Sequence, residues 1–440
     1  MKFAVSTSKT TMFKVTQSSK NITPFGGLNF IYDAIQRKGL IQFIDKELGS
    51  RHVLAHYSYS DILLSLFGNS LCQGEYLSDL QTLKSKFNEQ VFGKIPSPDT
   101  VEYACQELKT KTIKVASEDD SKIIHQINYN NALNKSLVSL AIETRQLKTD
   151  NKTYTLDFDN VVVATEKQDA KMSYKGVKGY HPNIAFVGRI PVHIENHNGN
   201  TPARYEQAET LKRCFKNLEE QYINIEHFRA DSASYQKEVI NLVSKKATYF
   251  YVRITDFADI RQHCATIKKW ETIEINHEEK EVGTTSYCPF GETNSYRIVV
   301  TRTKKKTAQI DFESNSAYDY YGIMTNNTAL NNKEIIEFYN QRGDAENSNR
   351  FLLNDFNLHH LPFPDMCTNT VFMYLMAMCA TMFEWTKIIL VNNQTEKITL
   401  TMRVKALCFN YITVATQFVK HARKTVLHVF SQIEYSILKI

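Results

Sequence analysis

The period of the chain changes at Lys152. Upstream, apolar residues recur at helical spacing. From Thr153 the run Thr-Tyr-Thr-Leu-Asp-Phe-Asp-Asn-Val-Val-Val alternates and is rich in β-branched residues, which reads as a strand. Asp157 and Asp159 lie two apart on it and therefore share one face. Helical regions on both sides of a strand-bearing middle predict a multidomain α/β protein.

At 440 residues the chain has ample material for buried cores and about two to four domains. With 42% hydrophobic and 23% charged residues it reads as an ordinary globular protein, not a disordered one. The net charge of +6 is modest, but its placement is uneven. From Met366 to Ile440 there are eight Lys/Arg and three acids, so most of the surplus sits in one region. That asymmetry suits a polyanion or a solvated basic face. The eight cysteines form no C-x-x-C pair and read as reduced thiols of a cytosolic protein. Residues 1–20 are polar and β-prone, an arm or an edge strand without signal-peptide character. The longest apolar run, Val371 to Phe383, is too short to cross a bilayer and reads as a core helix, so no membrane is expected.

Upstream of Lys152, helices are expected around Leu28–Ile35, Leu40–Ile44, Tyr57–Leu83 and, after the Pro96-Ser-Pro-Asp-Thr turn and cap, from Val101. They would form a helix-turn-helix-like DNA-binding unit or a plain helical packing domain. Residues 119–147 read as a longer connecting helix. Downstream, Ile184–Val187 and Ile190–Ile194 read as paired strands, and a helix covers roughly 203–221. A strand then ends at Asp231, where an aspartate either caps the next helix or serves a site at a strand's carboxyl end. Between 248 and 327 the pattern is mostly strand (249–254, 270–275, 296–302, 320–325). Its cluster Arg302-Thr-Lys304-Lys305-Lys306 fits nucleic acid or a solvated hairpin.

A helical run follows at Glu337-Phe-Tyr-Asn-Gln-Arg-Gly-Asp-Ala-Glu346-Asn-Ser-Asn-Arg350. Tyr339, Arg342 and Glu346 at offsets zero, three and seven share one helical face. A carboxylate that binds a divalent cation, a guanidinium that forks onto phosphate and a phenol that donates to it together suit a metal-bound phosphodiester. An exposed salt-bridged face is the plainer reading of the same three residues. Should the strand acids, Asp231 and Glu346 converge, their mutual repulsion would be relieved by divalent cations. Two such ions about 3.5–4 Å apart would suit phosphodiester chemistry.

Taken in order, Leu156-Asp-Phe-Asp159, Arg229-Ala-Asp231-Ser-Ala-Ser and Tyr339-Asn-Gln-Arg-Gly-Asp-Ala-Glu346 resemble the motifs of the DDE transposases of bacterial insertion sequences. Gly179-Tyr-His-Pro and Pro96-Ser-Pro-Asp-Thr are further landmarks of the likeness, which covers most of the chain. The branch it resembles has an RNase H-like catalytic core interrupted by a β-rich insertion, and a Tyr-x2-Arg-x3-Glu-x6-Lys signature. The family lysine falls here on Leu353, with Arg350 as its candidate substitute.

The resemblance implies a helical DNA-binding region at 1–118 and a core at 119–247 that closes with a final helix at 328–365. It also implies an insertion at 248–327 and a helical, basic region at 366–440. It implies cut-and-paste transposition, in which water frees a 3′-hydroxyl that then attacks target DNA. Asp159, Asp231 and Glu346 would hold two Mg²⁺ (or Mn²⁺) ions, with Asp157 open as the alternative first ligand. Tyr339, Arg342, Arg350, Trp270, Lys304, Lys305, Lys306, Lys405, Arg423 and Lys424 would contact DNA. Trp270 would stack a displaced base or sit in the core. The implied partners are double-stranded DNA, as terminal inverted repeats and target, and a second copy in a synaptic homodimer. The implied location is the bacterial cytoplasm, at the nucleoid. A catalytically dead DNA-binding descendant and a stand-alone nuclease are the alternatives.

Overall fold

The computed structural model describes residues 22–87, 94–117, 122–255, 258–275, 277–291, 293–304, 318–393, 398–421 and 424–430. The expected N-terminal arm lies outside them. Five helices come first: Gly27–Arg37 (α1), Leu40–Leu48 (α2), Tyr59–Leu71 (α3), Asp79–Phe87 (α4) and Pro98–Leu108 (α5). Local chemistry sets their starts. Ser58 and Asp61 close a capping box on α3, and Ser97 accepts from the Thr100 amide just ahead of Pro98.

The connecting helix expected at 119–147 is not formed. Ile113–Ala116 (β1) and Ile124–Asn128 (β2) pair as a hairpin, and only Asn131–Glu143 (α6) is helical. Asn130 starts α6, its side chain accepting from the Ala132 and Leu133 amides, while Ile127 and Asn128 are held by pairing with a distant strand.

The middle of the chain runs Thr153–Asn160 (β3), Val163–Ala164 (β4), Lys171–Met172 (β5), Lys178–Tyr180 (β6), Asn183–Val187 (β7), Ile190–His197 (β8), Gln207–Glu220 (α7), Asn224–Ala230 (β9), Lys237–Lys246 (α8) and Tyr249–Arg253 (β10). Ala258–Ala265 (α9), Glu271–Ile275 (β11), Glu278–Tyr287 (β12), Tyr296–Lys304 (β13) and Tyr318–Thr325 (β14) follow. Eleven strands join one mixed sheet in the order β1-β2-β8-β7-β3-β9-β10-β14-β13-β12-β11. Its centre, β3-β9-β10, is parallel. The expected β-rich stretch is thus continuous with the rest: β10 pairs β9 on one side and β14 on the other. A small sheet, β4-β6-β5, stands apart.

Alternation along β3 sorts its side chains. Tyr154, Leu156 and Phe158 are buried in a core shared with Leu211, Phe215, Val239 and Phe228 of α7, α8 and β9. Asp157 and Asp159 face the other way, towards Asn332–Asn340 (α10) and Gly343–Asp355 (α11).

The expected single helix around 340 is broken into these two. The cause lies in the sheet. Arg229 Nη1 donates to the Phe338 carbonyl at 2.7 Å, and the Arg342 amide turns instead to the Tyr339 carbonyl at 2.8 Å. Gly343, a poor helix former, follows at the joint.

Met366–Asn392 (α12) is apolar all round and packs against α3, α5, α6 and β8. Its 27 residues extend well beyond the apolar run seen in sequence. By length and composition they could cross a bilayer, but 94% of the most apolar window is buried inside the protein. α12 shares one core with α1–α5, so the N-terminal helices rest on the C-terminal region. That region is not wholly helical. After the short Val404–Leu407 (α13), Ala415–His421 (β15) and Lys424–Phe430 (β16) form an antiparallel pair, in keeping with their Thr/Val-rich sequence. All eight cysteines are free.

Candidate active site

Parallel pairing of β3 with β9 sets Phe158 opposite Ala230. The next residues, Asp159 and Asp231, therefore stand at the carboxyl ends of adjacent strands. Asp231 also accepts from the Ala233 amide at 2.9 Å, so the capping role and the strand-end position coexist. The start of α11 supplies the third side. Arg342 lies 3.6 Å from Asp159 Oδ1 and donates to Glu346 Oε1 at 3.0 Å, bridging the two carboxylates. Asn349, one helical turn beyond Glu346, donates to Asp159 Oδ2 at 2.9 Å.

Asp157 is engaged differently. Arg229 forks onto it with bonds of 2.7 and 2.8 Å, and the pair is almost fully buried. The same guanidinium holds the Phe338 carbonyl and lies over the Phe338 ring. Asp157 is thus consumed in fastening α10 to the sheet.

Burial pushes the Asp159 carboxyl up to about 6, with Asp231 and Glu346 adding to the rise and Arg342 opposing it. Burial also works against the Arg342 charge, but Tyr339 and the three acids keep its pKa above the ordinary value. Arg342 Nη1 and Asn349 Oδ1 are buried without a hydrogen-bond partner. The site is acidic and incompletely satisfied.

The other expected contacts divide. Tyr339 does not face solvent: it is buried, its hydroxyl donates to the Ala230 carbonyl at 3.1 Å, and it lies beneath Arg342. It sets the position of the strand end that precedes Asp231. Arg350 is exposed, whereas Asn349, which sequence reasoning missed, points into the site. The available signal was its three-residue offset from Glu346. Leu353 packs at the edge of the helical core, as its apolar character suggests.

Trp270 is half-buried. Its indole donates to the Ile267 carbonyl, and Arg302 lies 4.2 Å over its ring, so that face is not free for a base. Lys304 and Lys405 are exposed. Lys305, Lys306 and Arg423 lie outside the described residues, as does the side chain of Lys424.

The family described as Transposase DDE domain, group 1, matches residues 5–438. The chain belongs to that family. Among solved structures, this DDE-family chain is similar to the cryo-EM structure of the piggyBac transposase synaptic complex with hairpin DNA. The TM-score is 0.41 and the identity 10%, over 89% of this chain and 80% of that one. No curated protein matches it.

Among the described residues, no three His, Cys, Asp or Glu side chains stand close enough together to hold a metal ion. The chemistry of the acids nevertheless fits one. They offer hard oxygen donors, and the raised Asp159 shows a carboxylate destabilised by burial and by its acidic neighbours. Arg342 is the cation that now stands between Asp159 and Glu346.

Proposed function

We propose that this DDE-family transposase is an active cut-and-paste enzyme on an RNase H-like core, with Asp159, Asp231 and Glu346 as its catalytic carboxylates. The observation that carries the reading is the register of β3 and β9. It sets Asp159 beside Asp231, and Arg342 ties Glu346 to them. The three acids would hold divalent cations, two Mg²⁺ or Mn²⁺ ions. When bound, these would activate water, and later a DNA 3′-hydroxyl, and stabilise the leaving oxygen.

The chain's own groups do the rest. Asn349 orients one oxygen of Asp159. The Asp157–Arg229 pair fixes the joint between α10 and α11, and with it the placement of Glu346. Arg342, freed from the carboxylates, turns its fork to the scissile phosphate. DNA ends and target DNA are the partners, bound by a homodimer at the nucleoid.

A plasmid assay with the DNA ends flanking the gene tests this. Mg²⁺- or Mn²⁺-dependent strand-transfer products support it. Cleavage without joining would make the protein a nuclease, and binding without cleavage would make it a catalytically dead descendant.

A further inference from the structure

A second feature lies in the segment between β3 and β7. β5 and β6 form a hairpin whose turn is Ser173-Tyr174-Lys175-Gly176. The turn is well defined: the Gly176 amide donates to the Ser173 carbonyl at 3.0 Å, and the Ser173 amide to the Val177 carbonyl at 2.8 Å. Gly176 has φ +72°, the left-handed conformation that glycine tolerates.

The base of the hairpin is fastened at several points. Asn198 accepts from the Lys171 amide and donates to the Asp169 carbonyl, both at 2.8 Å, and the Gly199 amide donates to the Gly179 carbonyl. Gly179 and Gly199 permit this closeness, since a Cβ on either would fall 2.3 Å from a backbone oxygen. The hairpin is therefore a rigid projection.

What it projects is unusual for an edge. Tyr174 is 70% exposed, Met172 59% and Val177 40%. Lys171 and Lys175 are exposed around them, Lys178 is half-exposed, and the segment 171–178 contains no acid. The Lys175 ammonium lies 5.7 Å from the centre of the Tyr174 ring, so the knob and its basic collar form one exposed unit. A nucleic acid strand supplies both partners, a base face for the ring and phosphates for the ammonium groups.

Its location gives the second reason. The Tyr174 ring lies 5.5 Å from that of His181, which is buried and precedes β7, the strand paired with β3 at Asp159. His181 Nδ1 meets the Thr201 carbonyl at 3.1 Å, whereas Nε2 is buried without a partner. Burial holds this imidazole below its ordinary value, against an upward pull from the Thr201 carbonyl and, more weakly, from Asp231. The hairpin tip thus rests on a residue two positions ahead of the strand that pairs with β3 at Asp159.

We propose that the hairpin 171–178 grips the DNA strand presented to the carboxylates, with Tyr174 stacked on an unpaired base near the cut and Lys175 on a neighbouring phosphate. This rests on the transposase reading and extends it to residues outside the acidic motifs. His181 supports the Tyr174 ring from beneath, as a positioning residue.

The test uses the full chain with two fluorescent duplexes of one sequence, one blunt and one with a short 3′ overhang carrying 2-aminopurine. Binding is measured with Ca²⁺ in place of Mg²⁺, and cleavage is assayed separately with Mg²⁺. The wild type should prefer the overhang duplex and quench the 2-aminopurine. Tyr174→Ala should lose the quenching and weaken overhang binding by about 5- to 150-fold, the range expected for one stacked base. Blunt-duplex binding should change little, and Tyr174→Phe should retain the wild-type behaviour. Lys175→Ala should weaken both duplexes and flatten the slope of log K against log [salt] by about 0.7–0.9.

Tyr174 is exposed, so its loss does not threaten folding. Equal overhang binding and quenching by wild type and Tyr174→Ala, with Mg²⁺-dependent cleavage intact, would overturn the hairpin proposal and leave the transposase reading standing. Failure of the wild type to bind or cut either duplex would remove the reading itself, and the hairpin's role with it.

Discussion

Two carboxylate–guanidinium pairs occur on the same face of β3, two residues apart, and they are built to opposite specifications. Asp157 and Arg229 meet in a closed fork at 2.7 and 2.8 Å, with the spare guanidinium nitrogen on the Phe338 carbonyl. Asp159 and Arg342 meet loosely at 3.6 Å, and the guanidinium leaves one nitrogen without a hydrogen bond. The closed pair is a fastening. The open one lies in the proposed site, where under-satisfied charges can respond to an incoming cation or phosphate. Identical residue types on one face are thus separated in role by how fully their neighbours satisfy them.

The sharpest way to break this comparison is to remove each acid in turn. Asp159→Ala, Asp231→Ala or Glu346→Ala should lower Mg²⁺-dependent cleavage by about a thousandfold or more, since several kcal/mol of transition-state stabilisation would go with the metal. Thermal stability should not fall. Near-wild-type cleavage by Asp231→Ala would end the metal-site assignment.

Asp157→Ala should do the reverse. It strands the buried Arg229, at a cost of about 3–5 kcal/mol in stability by denaturant titration. Cleavage per folded molecule should fall far less than in Asp159→Ala. A stable Asp157→Ala protein that cannot cut would exchange the two roles.

The third contrast is in pH. Asp159 binds its proton more tightly folded than unfolded, with a folded value of about 6 against 3.8. Between those values the folded protein holds more protons, so this group's contribution to stability falls as pH rises from about 4 to 6, and the penalty persists above that. The shift corresponds to about 3 kcal/mol. Asp159→Asn should therefore gain stability relative to wild type across that window. A divalent cation should remove much of that gain at pH 7, by stabilising the wild-type carboxylate. A pH-independent gap between the two would remove the raised carboxyl from the account.

Arg342→Lys should cost about tenfold to a hundredfold in strand transfer, because the charge remains but the planar fork is lost. The smallest effect is expected at Arg350. If it contacts DNA in place of the missing lysine, Arg350→Ala should flatten the salt slope of duplex binding by about 0.9 with little change in cleavage at saturating DNA. An unchanged slope, with a gain of binding in Leu353→Lys, would show that the phosphate contact belongs at 353.

Many of the elements that carry this candidate site were legible from residues alone because their signals are local. The alternation of β3, the strand ending at Asp231 and the acidic start of α11 are each set within a few residues. So are the cap at Ser97 and the apolar character of α12. Readings that failed depended on distant partners. The 119–147 segment contains a hairpin because β2 pairs with β8. The Tyr339 hydroxyl, which in sequence suits a phosphate, is taken by the Ala230 carbonyl.

The sequence by itself determined which acids could meet and that Asp157 and Asp159 share a face, since side-chain alternation along a strand is covalent geometry. What distinguishes them is tertiary structure, through the neighbours that the fold delivers. β9 sets Arg229 beside Asp157, and α11 brings Asn349 and Arg342 to Asp159. These partners lie between 72 and 190 positions away along the chain. Whether a carboxylate is satisfied or left open depends on such contacts across space, which no local pattern encodes.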